Sequence, residues 1–160
     1  MPASFLDVLL DGPFALTPRP EPVAGDLRRA WGIALVILIL GKSRGKRASL
    51  QKLHFLGHTA RTRQTREEAQ QVFAGERQPS DLVVRVEPWL NRALAFAKGA
   101  GLIELEKGKS AKLTAAGLTA CEVLYKQSSM CAEEKAFLEA VGARATEAAV
   151  EKIMRMELAL

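Results

Sequence analysis

The chain has 160 residues, 48% of them hydrophobic and 26% charged, a balance that excludes a disordered, fibrous or disulfide-stapled protein and fits one globular core with terminal extensions. The formal net charge is only +5, yet no Asp or Glu occurs from Leu27 through Arg66, a window that holds ten Lys or Arg. Such asymmetry points to a polyanionic partner or an acidic protein surface; a merely solvated basic face is the alternative.

Residues 1–25 read as a proline-rich arm, with Thr17-Pro18-Arg19-Pro20-Glu21-Pro22 favouring extended backbone. The N-terminus lacks a basic n-region, and Asp7 and Asp11 interrupt its apolar residues, so no export signal is expected and the location is read as cytoplasmic. Asp26 is placed as the N-cap of a helix to about Leu40 that Gly41 ends. The segment from Trp31 to Leu40 is apolar throughout, but a bilayer crossing needs about 20 such residues. Arg28, Arg29 and Lys42 also flank it closely, so a core helix buried on every side is expected, with no membrane association.

A polar, glycine-containing connection over 42–47 follows, and Ser49 caps a second helix to about Ala60. Thr65 with Glu68 three residues later forms a capping-box pattern for a third helix ending near Ala74-Gly75. Leu82-Val83-Val84-Arg85-Val86 reads as a strand, and Pro88 opens a helix that Gly101 stops. Residues 102–113 read as a β-hairpin turning at Lys107-Gly108-Lys109. Thr114 caps a helix to about Gln127, and two more fit 131–141 and 147–158, separated by Gly142 and capped at Thr146. The fold class expected is mostly α with a small β-hairpin, and Leu35, Ile39, Leu53, Leu90, Leu94, Leu102 and Leu113 are its candidate core.

The motifs that carry chemistry are weak. Gly41-Lys42-Ser43 matches the end of a phosphate-binding loop, but Val36 stands where that loop needs a glycine. His54 and His58 share a helix face at metal-ligand spacing, but Phe55 stands where the zinc protease motif has Glu, and no acid lies nearby in sequence. Cys121 and Cys131 have no CxxC spacing and read as reduced, inert thiols. No nucleophile has a base and carboxylate in local context. The chain is therefore read as a non-enzyme, with no catalytic residues, no metal and no cofactor.

Nucleic-acid contact has better support. Arg44, Lys46 and Arg47 precede the second helix, Arg61, Arg63 and Arg66 follow it, and Lys107 and Lys109 crown the hairpin, where cations commonly grip phosphates. The helix from Pro88 offers Asn91, Arg92 and Lys98 beside Ala95, Ala97 and Gly99, a poor set for reading bases in the major groove. The same small residues suit packing on a protein partner, with Trp89 and Phe96 read either as anchors or as core. Phe137, Leu138, Val141, Val150, Ile153 and Met154 either close the core or pair with a second copy, leaving a homodimer open.

Helix, second helix, inserted segment, third helix and hairpin is the order of an elaborated winged helix-turn-helix with additional C-terminal helices. Trp89-Leu90-Asn91-Arg92-Ala93-Leu94, Ala97, Gly101-Leu102-Ile103 and Lys112-Leu113-Thr114-Ala115-Ala116-Gly117 resemble the third helix and wing of many bacterial winged-helix proteins, a likeness that speaks to fold more than function. The order of elements from about Ala24 to Ile153 is similar to the middle components of bacterial ABC-three component systems. The chain then divides into a proline-rich arm over 1–25, whose first 22 residues lie outside the resemblance, a winged-helix domain over 26–128 and a helical extension over 129–160. The resemblance implies an adaptor subunit in antiviral defence that bridges an SMC-like or Rad50-like ATPase and an effector, and the charge layout adds an expectation of weak, non-specific contact to double-stranded DNA. A DNA-binding transcriptional regulator is the competing expectation.

Overall fold

The computed structural model describes residues 25–157; the proline-rich arm, apart from Gly25, lies outside them. Helix α1 (Gly25–Lys42) is the hub. It begins one residue before the expected cap, Asp26, and every residue from Leu35 through Leu40 is at most 3% exposed. That all-round burial follows from its position against α2 (Leu50–Thr59), α4 (Pro88–Gly99), α5 (Ala115–Lys126), α6 (Ala132–Val141) and the sheet. Each such side chain contributes about 1.5–3 kcal/mol of transfer free energy. Among the described residues no helix is long and apolar enough to cross a membrane.

The structure is mostly helical with a small three-stranded antiparallel sheet. Its strands are β1 (Arg47–Ser49), β2 (Ile103–Glu106) and β3 (Ser110–Leu113), in the order β1-β3-β2. Lys112 lies between Arg47 and Glu104 in register, and Ser110 between Ser49 and Glu106. The β2–β3 turn needs positive φ at Lys107 (50°) and Gly108 (64°) and is closed by Lys109 N donating to Glu106 O at 3.0 Å.

The exit from the hairpin is tightly built. Thr114 Oγ1 accepts from Gly117 N at 3.1 Å and donates to Gly101 O at 2.6 Å, while Thr114 N donates to Leu102 O at 3.1 Å. A Cβ at position 117 would lie 2.0 Å from Leu102 O, so α5 approaches the start of the hairpin as closely as only glycine permits. Gly101, Leu102, Thr114 and Gly117 are thus four parts of one joint.

Helices α6 and α7 (Glu147–Glu157) close the same core, since Phe137, Leu138, Val141, Val150 and Ile153 are buried in one cluster with Leu35 and Leu53. Six of the seven candidate core residues are buried, and Leu102 is partly buried against them.

Three local expectations are corrected. Arg47–Ser49, read as the end of a connection, forms β1, with Ser49 capping α2 as expected; its residues carry no strand pattern, and pairing with β3 alone makes them one. Residues 82–86 belong to no strand of the described sheet, although Leu82 and Val84 are buried and Val83 and Val86 exposed; the alternation marks a half-buried extended segment without a ladder. Helix α3 (Arg63–Ala74) starts earlier than Thr65. Its capping box is Thr62 with Thr65, whose side chains and backbone N–H groups bond reciprocally. Glu68 instead accepts from Gln64 and pairs with Arg77.

Candidate macromolecular interface

Folding brings distant carboxylates into the acid-free window. Lys42 pairs with Glu139, Arg47 with Glu106 at 2.8 Å and Arg61 with Glu87 at 3.2 Å, while Arg63 pairs locally along its own helix with Glu67 at 2.7 Å. Arg66 is turned inward, 9% exposed. Its guanidinium donates to Ala60 O at 2.8 Å and to Glu133, tying α3 to α6. Lys46 Nζ donates to Gly41 O at 2.6 Å, holding the end of α1 to the short 3-10 turn Arg44–Lys46.

Arg44, Lys107 and Lys109 remain exposed without an ion pair to a described residue. Leu50 N donates to Lys109 O at 2.9 Å, so the hairpin turn lies beside the start of α2 and the residues just before it. A hollow of about 430 Å³ there is lined by Arg47, Glu106, Lys107, Lys109 and Ser110. Its one described carboxylate, Glu106, is engaged by Arg47 and by Ser110 Oγ at 3.1 Å. Lys107 and Lys109 therefore stand beside Arg47 in a hollow whose cations suit phosphate oxygens, whereas Arg61 and Arg63, beyond the other end of α2, are paired within the fold.

Helix α4 faces that helix through a polar joint. His58 Nδ1 lies 2.8 Å from Glu87 Oε1, and both groups are nearly buried, with Arg61 closing the cluster from the solvent side. Burial works to raise the Glu87 carboxyl, but the His58 bond and the Arg61 charge outweigh it and hold the carboxyl below the usual glutamate range. One turn earlier on α2, burial lowers the His54 imidazole against a bond from Asn91 and the charge of Glu87. His58 is thus tied to the residue that precedes α4, and among the described residues no group of three or more His, Cys, Asp or Glu could hold a metal ion.

The outward face of α4 carries Arg92, Ala95, Phe96, Lys98 and Gly99. Asn91 is exposed beside them. Comparison with protein-family models, with curated proteins and with solved structures gave no match.

Beside this face a groove of about 590 Å³ runs between α1 and α4, lined by Arg28, Arg29, Gly32, Trp89, Arg92 and Ala93 with Phe96. The Trp89 indole packs against Trp31, ring centroids 5.0 Å apart, and against bare glycine: a Cβ on Gly32 would sit 3.2 Å from the ring. Phe96 is 49% exposed, and the Arg29 guanidinium lies 6.0 Å from its centroid. Sequence reasoning singled out Arg92, Trp89 and Phe96 but not their convergence with Arg28 and Arg29, which lie some 60 positions earlier. No local pattern encodes that meeting.

Proposed function

We propose that this chain is a winged helix-turn-helix protein acting without catalysis as an adaptor subunit, of the kind that bridges an SMC-like ATPase and an effector in a bacterial defence complex. The strand order β1-β3-β2, with α4 leading directly into the hairpin, supports the winged-helix reading. In it α2 and α4 correspond to the helix-turn-helix pair, α3 to an insertion, and β2–β3 to the wing.

One observation carries the adaptor over the regulator. The helix in the recognition position turns Ala95, Phe96 and Gly99 to solvent, leaving Asn91, Arg92 and Lys98 as its only exposed polar side chains. Such a face has little with which to read base edges but suits close protein contact. Arg44, Lys107 and Lys109 supply phosphate contact without sequence readout.

Titration of the isolated protein against unrelated duplexes separates the two readings. The adaptor binds all of them alike, with Kd on the order of 10⁻⁴–10⁻⁶ M at physiological salt. A tight footprint on one operator reverses the order and makes the chain a regulator.

A further inference from the structure

The stretch from Asp81 to Val86 has the composition of a strand but no ladder. Leu82 (φ −95°, ψ 106°) and Glu87 (φ −96°, ψ 112°) bracket it in extended conformation. Leu82 and Val84 are buried, whereas Asp81, Val83 and Arg85 are exposed. Successive residues of an extended chain aim their backbone N–H and C=O groups to opposite edges, so Val83 and Arg85 share one edge and Val84 lies on the other. Neither Val83 nor Arg85 has a backbone hydrogen bond to another residue of the chain. Such an exposed row of free donors and acceptors is a template for a further strand.

The charges at this edge are also open. Asp81 and Arg85 form no ion pair with a described residue. Arg77 reaches the backbone carbonyl of Asp81 at 3.4 Å, and its ion pair is with Glu68.

The order of these residues selects the strand that fits. An antiparallel copy of the same segment centred on Val83 sets Val83 against Val83 and each Asp81 against an Arg85. Centred on Val84, the copy would set Asp81 against Glu87, acid against acid; centred on Arg85, it would set cation against cation. Opposite charges and β-branched pairs directly across a ladder stabilise it, and like charges destabilise it.

From this self-complementarity we infer that the Val83–Arg85 edge pairs with the same edge of a second copy of the chain, about a two-fold axis at Val83. The two Val83 residues exchange backbone hydrogen bonds, and an Asp81–Arg85 pair flanks them on each side. Two short strands bury less than the roughly 1,200 Å² of stable interfaces, so the dimer is weak and concentration-dependent. The contact uses no residue of the wing or of the outward face of α4 and stands independently of the adaptor reading.

Sedimentation equilibrium of the full chain, up to its solubility limit, reads the association. The wild type shows a monomer–dimer equilibrium. Arg85→Glu alone, or Asp81→Lys alone, sets like charges across the axis and weakens the dimer by about tenfold or more. An equimolar mixture of the two variants restores it, because each carries the charge that the other lacks. Hydrogen-bonded antiparallel partners lie about 5.5 Å apart at Cα, within disulfide range. Val83→Cys therefore cross-links to a dimer under mild oxidation faster than Val86→Cys and faster than the unchanged chain, whose thiols are Cys121 and Cys131. Circular dichroism establishes that each variant keeps its fold. A chain that stays monomeric, charge reversals without effect, a mixture no stronger than its components, or Val83→Cys no faster than Val86→Cys overturns the inference. So does a chain that is monomeric alone and gains exchange protection at the Val83 and Arg85 amides only in a complex with co-expressed partners, a result that gives the edge to a partner's strand.

Discussion

Glu87, the residue before α4, receives His58 Nδ1 of α2 at 2.8 Å, so the two helices of the proposed recognition pair are joined by an almost fully buried polar bond. The carboxyl titrates below the ordinary glutamate range. A depressed folded-state pKa gives stability that is complete above the unfolded value, about 4.3, and is lost as pH falls through the folded value. Urea denaturation from neutral to strongly acidic pH should show this loss, and Glu87→Gln should reduce that part of the pH dependence. Replacing His58 with Ala leaves the buried carboxylate short of a donor and costs about 1–3 kcal/mol.

Arg66 and the wing lysines separate stability from binding. Arg66→Ala strands the Ala60 carbonyl and removes the tie to Glu133, costing about 1–3 kcal/mol in chemical denaturation. It leaves DNA affinity unaltered when measured well below the melting temperature. Lys107→Glu with Lys109→Glu behaves oppositely, leaving stability near wild type and weakening binding to all duplexes alike. Loss of two phosphate contacts reduces the log–log salt slope by roughly 2.

Gly117→Ala drives a methyl into Leu102 O, a backbone atom with no freedom to yield. The joint between wing and α5 must open, so the variant is expected to lose more than 2 kcal/mol, roughly the scale of overpacking in a closed core. Thermal denaturation reads the effect directly. Gly108→Ala, where nothing lies within 4 Å and only the positive φ is strained, is the milder comparison.

Both thiols are held above the ordinary cysteine range, chiefly by burial. Less thiolate is present near neutral pH than in a free cysteine, so reaction with Ellman's reagent is slow in the native protein and accelerates in urea. The effect is greater for Cys121, which is buried, than for partly buried Cys131.

What the sequence makes legible here is local. Ser49, Thr114 and Thr146 cap the helices they precede, and Pro88 and Gly101 bracket α4, because each signal acts through bonds or dihedral limits within four residues. Strand β1 was invisible because Arg47-Ala48-Ser49 is made a strand by β3, more than 60 positions away. The stretch 82–86 misled because alternation reports burial, and a ladder partner is a tertiary matter. The cations of the basic window were legible, but their neutralisation was not. Their partners Glu87, Glu133 and Glu139 stand 26, 67 and 97 positions from Arg61, Arg66 and Lys42, and only folding reveals that Arg66 is spent inside while Arg44, Lys107 and Lys109 stay available.

Co-expression of the full chain with the products of its neighbouring genes, followed by affinity purification and mass measurement of the intact assembly, tests the adaptor function most directly. The account predicts a stoichiometric complex containing an SMC-like ATPase and a second protein, lost or weakened by charge reversal at Arg92 and tolerant of charge reversal at Lys107 and Lys109. A chain that purifies alone under these conditions contradicts it.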